Sequence, residues 1–196
     1  MSEILLNKFI DVFENNILPL TTKGVGLGNK IFGAAIIKKN DYSLVVAGSN
    51  NETENPLWHG EIYTLKKFYE MEIKIRPNEK DCIFLSSHEP CSLCLSAITF
   101  SGFDNFYYLF PYESTFNDFN IPHDLKILEE VFDIKNGNYL NENAYWKSYS
   151  INKLINELTT NKKENLISSF KNIKKSYKEL SYKYQSNKKK NKIPLK

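Results

Sequence analysis

The sequence predicts a three-layer α/β/α sandwich with a mixed central sheet, and three observations carry that reading. Short apolar runs at residues 31–37, 44–47, 82–85 and 106–110 alternate with segments of helical spacing. The last run, Phe106-Tyr107-Tyr108-Leu109-Phe110, is apolar without interruption, as a strand covered on both faces must be. Hydrophobic residues make up 41% of 196, enough for one core of ordinary domain size, and the 25% that are charged can coat it.

Taken in order, residues 3–16 set Leu5, Phe9, Val12 and Phe13 on roughly one face, predicting an amphipathic helix. Pro19 and the stretch Gly24-Val25-Gly26-Leu27-Gly28 should end it. That Gly-x-Gly-x-Gly precedes a strand instead of opening a helix, so it reads as a flexible loop and not as a phosphate-binding turn. Two strands follow, joined by a polar turn at residues 38–42, and residues 50–56 form a loop. From His59, the spacing of Ile62, Leu65, Phe68 and Tyr69 predicts a helix to about Met71. After the strand at 82–85, Pro90 starts a second helix that carries Cys91, Cys94, Leu95 and Ile98, and Gly102 stops it. Residues 122–132 read as a further helix.

These elements make a domain over residues 1–137. Residues 138–185 read as a C-terminal helical extension: Trp146, Tyr149, Leu154, Ile155 and Leu158 suggest a helix packing back on the body, and a basic helix follows over 166–184. Residues 186–196 are expected to be a basic, disordered tail.

The net charge of +3 conceals an asymmetry. Residues 153–196 hold 13 lysines against Glu157, Glu164 and Glu179, whereas residues 1–152 carry a net −7. An acidic body argues against a basic nucleic-acid-binding domain, although the tail could touch polyanions. Arg76 is the one arginine, which argues against a site that grips phosphate through bidentate forks. No apolar run approaches the ~20 residues that span a bilayer. Glu3, Asp11 and Glu14 interrupt the opening segment, so it does not read as a signal peptide, and a cytosolic location is expected.

The chemistry concentrates in His59-Gly60-Glu61 and, some thirty residues on, Pro90-Cys91-Ser92-Leu93-Cys94. Cys91 and Cys94, one turn apart at a helix start, present both sulfurs on one face, where exposed N–H groups stabilise thiolates. A neutral His59 imidazole completes three ligands for a tetrahedral zinc and leaves the fourth vertex to water, the pattern of a catalytic site. Glu61 is close enough to exchange protons with that water without being a ligand. Cys82, on an apolar strand, reads as core, His123 as surface, and His88 as a pocket residue that could alternatively supply a fourth, structural ligand.

His59-x-Glu61 with Pro90-Cys91-x-x-Cys94 resembles the zinc-dependent cytidine/deoxycytidylate deaminase superfamily, and the likeness extends over about residues 31–110. Phe32-Gly33-Ala34-Ala35-Ile36-Ile37, the Gly48-Ser49-Asn50-Asn51 turn and Ala97-Ile98 are similar to family positions. The resemblance implies a hydrolytic deaminase of a free nucleobase or nucleoside. In it, hydroxide formed at the zinc attacks an amidine carbon, Glu61 shuttles protons and ammonia leaves. It also implies a homodimer.

The substrate stays open between cytosine and guanine. Gly60 between His59 and Glu61 resembles fungal-type cytosine deaminases, whereas Glu89-Pro90-Cys91 and, loosely, Phe116-Asn117-Asp118-Phe119 resemble guanine and tRNA-adenosine deaminases. By resemblance, Asn50 (or Asn51) and the Gly60 and Cys91 N–H groups contact the base. Glu89 and Asp118 are candidates to meet its edge. Phe32, Trp58, Phe110 and Trp146 could stack on it, or simply fill core. The alternatives are a tRNA-specific adenosine deaminase, with the lysine tail on phosphates, and a non-catalytic member of the fold held together by zinc.

Overall fold

The computed structural model describes residues 3–159 and 163–196. The amphipathic opening folds as α1 (Glu3–Val12), a π-helical turn (Phe13–Ile17) and α2 (Leu18–Gly26). The helical path thus continues through Pro19, where the sequence predicts its end. The proline falls in the first turn of α2, directly after the wider π turn, where its missing N–H costs least. Gly24 and Gly26 are consequently helical, not loop. Of the three glycines only Gly28, at φ +96°, adopts a conformation that favours glycine.

The sheet has the order β2-β1-β3-β4-β5, built from β1 (Gly33–Lys38), β2 (Leu44–Ser49), β3 (Cys82–His88), β4 (Asn105–Phe110) and β5 (Lys147–Ser150). β1 runs antiparallel to β2 and β3, while β3, β4 and β5 are parallel, so the sheet is mixed as expected. Alternation along the strands divides the core. Ala35, Ile37, Leu85, Tyr107 and Leu109 pack with α1, α2 and α8 (Lys163–Asn187). Ala34, Ile36, Phe84, Phe106 and Tyr108 pack with α3 (Gly60–Tyr69) and α4 (Ser92–Phe100).

Two strands depart from the sequence reading. β3 runs three residues further, through Ser86, Ser87 and His88, all buried. The Ser87 hydroxyl accepts the Gly33 N–H at 2.9 Å and the Ser86 hydroxyl donates to Glu61, so these polar groups are paired inside the fold. β5 lies where the sequence predicts the start of a helix. It pairs Tyr149 with Tyr107 in register, the rings stacked at 4.5 Å, and α7 (Ile151–Asn156) begins only after it. Four residues are too few to show a period.

Between β4 and β5 stand the short α5 (Tyr112–Asn117) and α6 (His123–Phe132). The basic segment 186–196 does not hang free as the sequence suggests. Ile193 is 2% exposed, and Asn191 Nδ2 donates to the Gly28 carbonyl at 2.8 Å. Ile193 is the apolar residue that this segment buries, while Pro194 and Leu195 beside it stay exposed. Among the described residues no helix is long and apolar enough to cross a membrane.

Candidate metal and active site

The site lies beyond the C-terminal end of β3, where α3 and α4 begin. His59 is the residue before α3 and Cys91 the residue before α4; both have extended backbones. Two helix N-termini therefore converge, and their positive ends suit anionic sulfur. Close packing makes this convergence possible: a Cβ on Gly60 would lie 2.8 Å from the backbone of Gly33, so α3 can sit this tightly on β1 only with glycine there.

The three predicted ligands come together. His59 Nδ1 is 3.4 Å from Cys91 Sγ and 3.8 Å from Cys94 Sγ, and the two sulfurs are 3.6 Å apart without a disulfide. Tetrahedral zinc with Zn–S of about 2.3 Å and Zn–N of about 2.0–2.1 Å needs donor separations of about 3.8 Å (S to S) and about 3.6 Å (S to N). The observed triangle matches within a few tenths of an ångström, and the donor set is one zinc favours, so the residues fit the ion. His88 is not in the cluster. It sits behind Phe32 against Phe110, Phe119 and Tyr177, its Nδ1 2.9 Å from the Ser87 hydroxyl.

Glu61, 3% exposed, spans the site: Oε1 accepts the Ser86 hydroxyl at 2.8 Å, and Oε2 lies 3.2 Å from Cys94 Sγ. Burial, reinforced by the charge of the Cys91 sulfur, raises its pKa above the ordinary carboxylate value. At His59 burial works against the proton, but the Cys91 hydrogen bond and charge, with Glu52 and Glu61, outweigh it and push the pKa up to about 9. Cys91 is held well below the usual thiol range by the Cys94 hydrogen bond and by His59. Desolvation and its neighbours hold Cys94 well above that range. The cluster by itself thus stores protons that a zinc ion would displace.

His59 and Cys91 open into a cavity of about 350 Å³, inside the range typical of small-molecule sites. Phe32, Leu57, Ile121 and Ile127 wall it, together with Ile193, Pro194 and Leu195 from the chain's end. His123, read as surface, lines it too, its Nε2 3.1 Å from the Lys196 carbonyl.

The remaining candidates separate. Of the four stacking aromatics, Phe32 lines the cavity, whereas Trp58 packs against Tyr63. Phe110 lies in the core on the far side of His88. Trp146 packs on Phe106 across the sheet, with its indole N–H donated to Thr99. Glu89 is buried away from the cavity, accepting from the Tyr112 N–H at 3.0 Å and the Tyr139 hydroxyl at 2.8 Å. Asp118 pairs with Lys174 and Lys178 on α8. Asn50 is buried with both ends of its amide used: Oδ1 accepts the Gly60 N–H and Nδ2 donates to Glu52 at 2.6 Å. That bond also occupies the Gly60 N–H. Asn51 turns away, its Nδ2 on Glu54.

The cavity wall also holds a carboxylate that is absent from the sequence candidates. Asp124, in the first turn of α6, lines the cavity at 8% exposure, and no hydrogen-bond donor among the described residues reaches it. Burial, with the Cys91 sulfur charge adding to it, keeps its carboxyl well above the normal range. Nothing in a lone Asp after Pro122-His123 signals this, because only the fold brings α6 over α4.

Residues 16–110 match the family described as the cytidine and deoxycytidylate deaminase zinc-binding region. Guanine deaminase of Bacillus subtilis (strain 168) is 34% identical over 92 residues, which are 45% of this chain and 56% of that protein. The match therefore spans little more than half the length of this relative. In the solved structure of guanine deaminase from Bacillus subtilis, the likeness covers 88% of this chain and 95% of that one, with a TM-score of 0.51 and 19% identity. A second structure, solved in complex with 8-azaguanine, gives a TM-score of 0.51 at 14% identity over 87% of this chain and 80% of that one. Both show the shared fold. The stretch that matches this family contains His59, Glu61, Cys91 and Cys94.

Proposed function

We propose that the protein is a zinc-dependent hydrolytic deaminase of a free nucleobase, with guanine as the first candidate. The observation that carries this reading is a three-donor zinc site, with the buried Glu61 carboxylate against Cys94, whose His59 and Cys91 open into a mainly apolar cavity that also holds the unpaired Asp124 carboxylate. Zinc held by His59, Cys91 and Cys94 supplies Lewis-acid activation of a water molecule near neutral pH.

This chain's own groups do the rest. Glu61 Oε2 would carry two protons in turn, the first from the water to a ring nitrogen and the second from the newly added hydroxyl to the amine, which leaves as ammonia, while Ser86 fixes Oε1. The raised affinity of Glu61 for protons suits a group that must hold one between those steps. Asp124 accepts N–H groups from the base edge. A base carrying an amidine offers such donors, and leaving a buried carboxylate unpaired is what makes a substrate without them bind poorly. Phe32 and the aliphatic walls give the cavity an apolar lining suited to a flat base.

Guanine ranks first because the curated relative that matches this chain is a guanine deaminase. Cytosine is the second candidate, since Gly60, the residue that resembles cytosine deaminases, has a packing reason of its own. A homodimer and a cytosolic location belong to the same reading, and light scattering of the purified protein tests the first. The deciding experiment is ammonia release by zinc-loaded protein offered guanine, cytosine, adenine, their nucleosides and tRNA. Turnover of free guanine supports the proposal. Salt-sensitive turnover of tRNA alone replaces it with the RNA-directed reading, and zinc binding without turnover of any of them replaces it with the non-catalytic one.

A further inference from the structure

Glu52 lies in the loop after β2, 3% exposed, and faces Lys30, which is 5% exposed. Lys30 Nζ donates to Oε1 at 2.7 Å, while Oε2 accepts from Asn50 Nδ2 at 2.6 Å and faces the Lys30 N–H at 3.4 Å. A buried ion pair is poor value for stability alone, because desolvation of both charges offsets most of their attraction. The pair adjoins the metal site, however. Glu52 Oε1 is 3.8 Å from His59 Nε2, the ring nitrogen that does not face the sulfurs.

We propose that Glu52 is the positioning residue of the metal centre: its carboxylate, itself held by Lys30 and Asn50, keeps the His59 ring with Nδ1 toward Cys91 and Cys94. The 3.8 Å separation exceeds a hydrogen bond, so the carboxylate acts through its charge, favouring the tautomer with the proton on Nε2. That tautomer leaves the Nδ1 lone pair free for the ion and makes it a better donor. A second route reinforces the first. Through Asn50, which bridges Glu52 to the Gly60 N–H, the same carboxylate fixes the start of α3, immediately after His59.

The inference rests on the zinc site and is independent of which base is deaminated. It is tested on the full chain by competition for zinc with a chromophoric chelator, and by the absorption spectrum of the cobalt-substituted protein. Glu52→Gln is expected to weaken zinc binding about 10–100-fold and to alter the cobalt spectrum, as loss of an outer carboxylate does at other histidine sites. Glu52→Gln also leaves Lys30 unpaired. The double variant Lys30→Met/Glu52→Gln, which buries no charge, carries the test if the single one does not fold, and it should show the same loss. Wild-type affinity in the double variant would mean that Glu52 serves only to neutralise Lys30, overturning the proposal. Wild-type protein that binds no zinc overturns the site itself. Tight zinc binding with no ammonia release counts against the deaminase reading and leaves the role of Glu52 intact.

Discussion

Glu61 Oε2 lies 3.2 Å from the Cys94 sulfur, while its other oxygen is held by Ser86. The carboxylate is thus aimed across the donor triangle from one side, anchored at one end and available at the other. A structural zinc site has no need of such a group.

Glu61→Gln keeps the shape and the Ser86 bond but removes the proton acceptor. The variant should retain about one zinc per chain, measured by elemental analysis, and lose about 10²–10⁴-fold in turnover. Unchanged turnover removes Glu61 from the mechanism.

Asp124→Asn tests the carboxylate that only the fold reveals. If Asp124 accepts base N–H groups, kcat/KM should fall by about 10–150-fold, from the ~1.5–3 kcal/mol of a hydrogen bond to a charged group. KM should carry much of the change, and zinc content should be unaffected. Thermal stability should hold or rise, because a carboxylate disfavoured by burial has been removed. Unaltered steady-state constants would assign Asp124 to packing.

The contrast between Glu61 and Asp124 shows what a sequence can disclose. Ligands and base sit at short spacings, two residues apart in one helix start and three in the other, and such spacings are visible in the sequence before the packing that joins the two starts. The strands are short apolar runs set between segments of helical spacing, so the mixed sheet was legible. The cavity walls were not. Asp124, His123 and Ile193 reach it through the placement of α6 and the chain's end, which no local pattern encodes. Asp118, six residues from Asp124, is just as acidic in sequence, yet it faces Lys174 and Lys178. β5 stayed hidden because its partner, β4, supplies the reason for it to be a strand.

Gly60→Ala should destabilise the protein. The added methyl would sit 2.8 Å from the backbone of Gly33, and backbone cannot yield as a side chain tip can. Overpacking of this kind costs about 1–3 kcal/mol, a fall of several degrees in melting temperature. Because α3 must shift, zinc affinity should fall with it. A stable variant with full zinc content would show that α3 can lift off β1 freely.

His88 gives the fold a dependence on pH. Burial pushes its pKa down to about 3 from an ordinary value near 6.5, and Nε2 has no hydrogen-bond partner among the described residues. The unfolded chain therefore takes up a proton between those two values and the folded chain does not. Its contribution is complete above pH 6.5 and is lost progressively as the pH falls toward 3. Between pH 6.5 and 5 the wild type should lose up to about 1.4 kcal/mol per pH unit from this group. His88→Leu, which suits a cage of Phe32, Phe110, Phe119 and Tyr177, should flatten that slope in denaturant titrations. Equal slopes for the two proteins would mean that His88 is protonated inside the fold, with an acceptor supplied by some rearrangement of Ser87 or Tyr177.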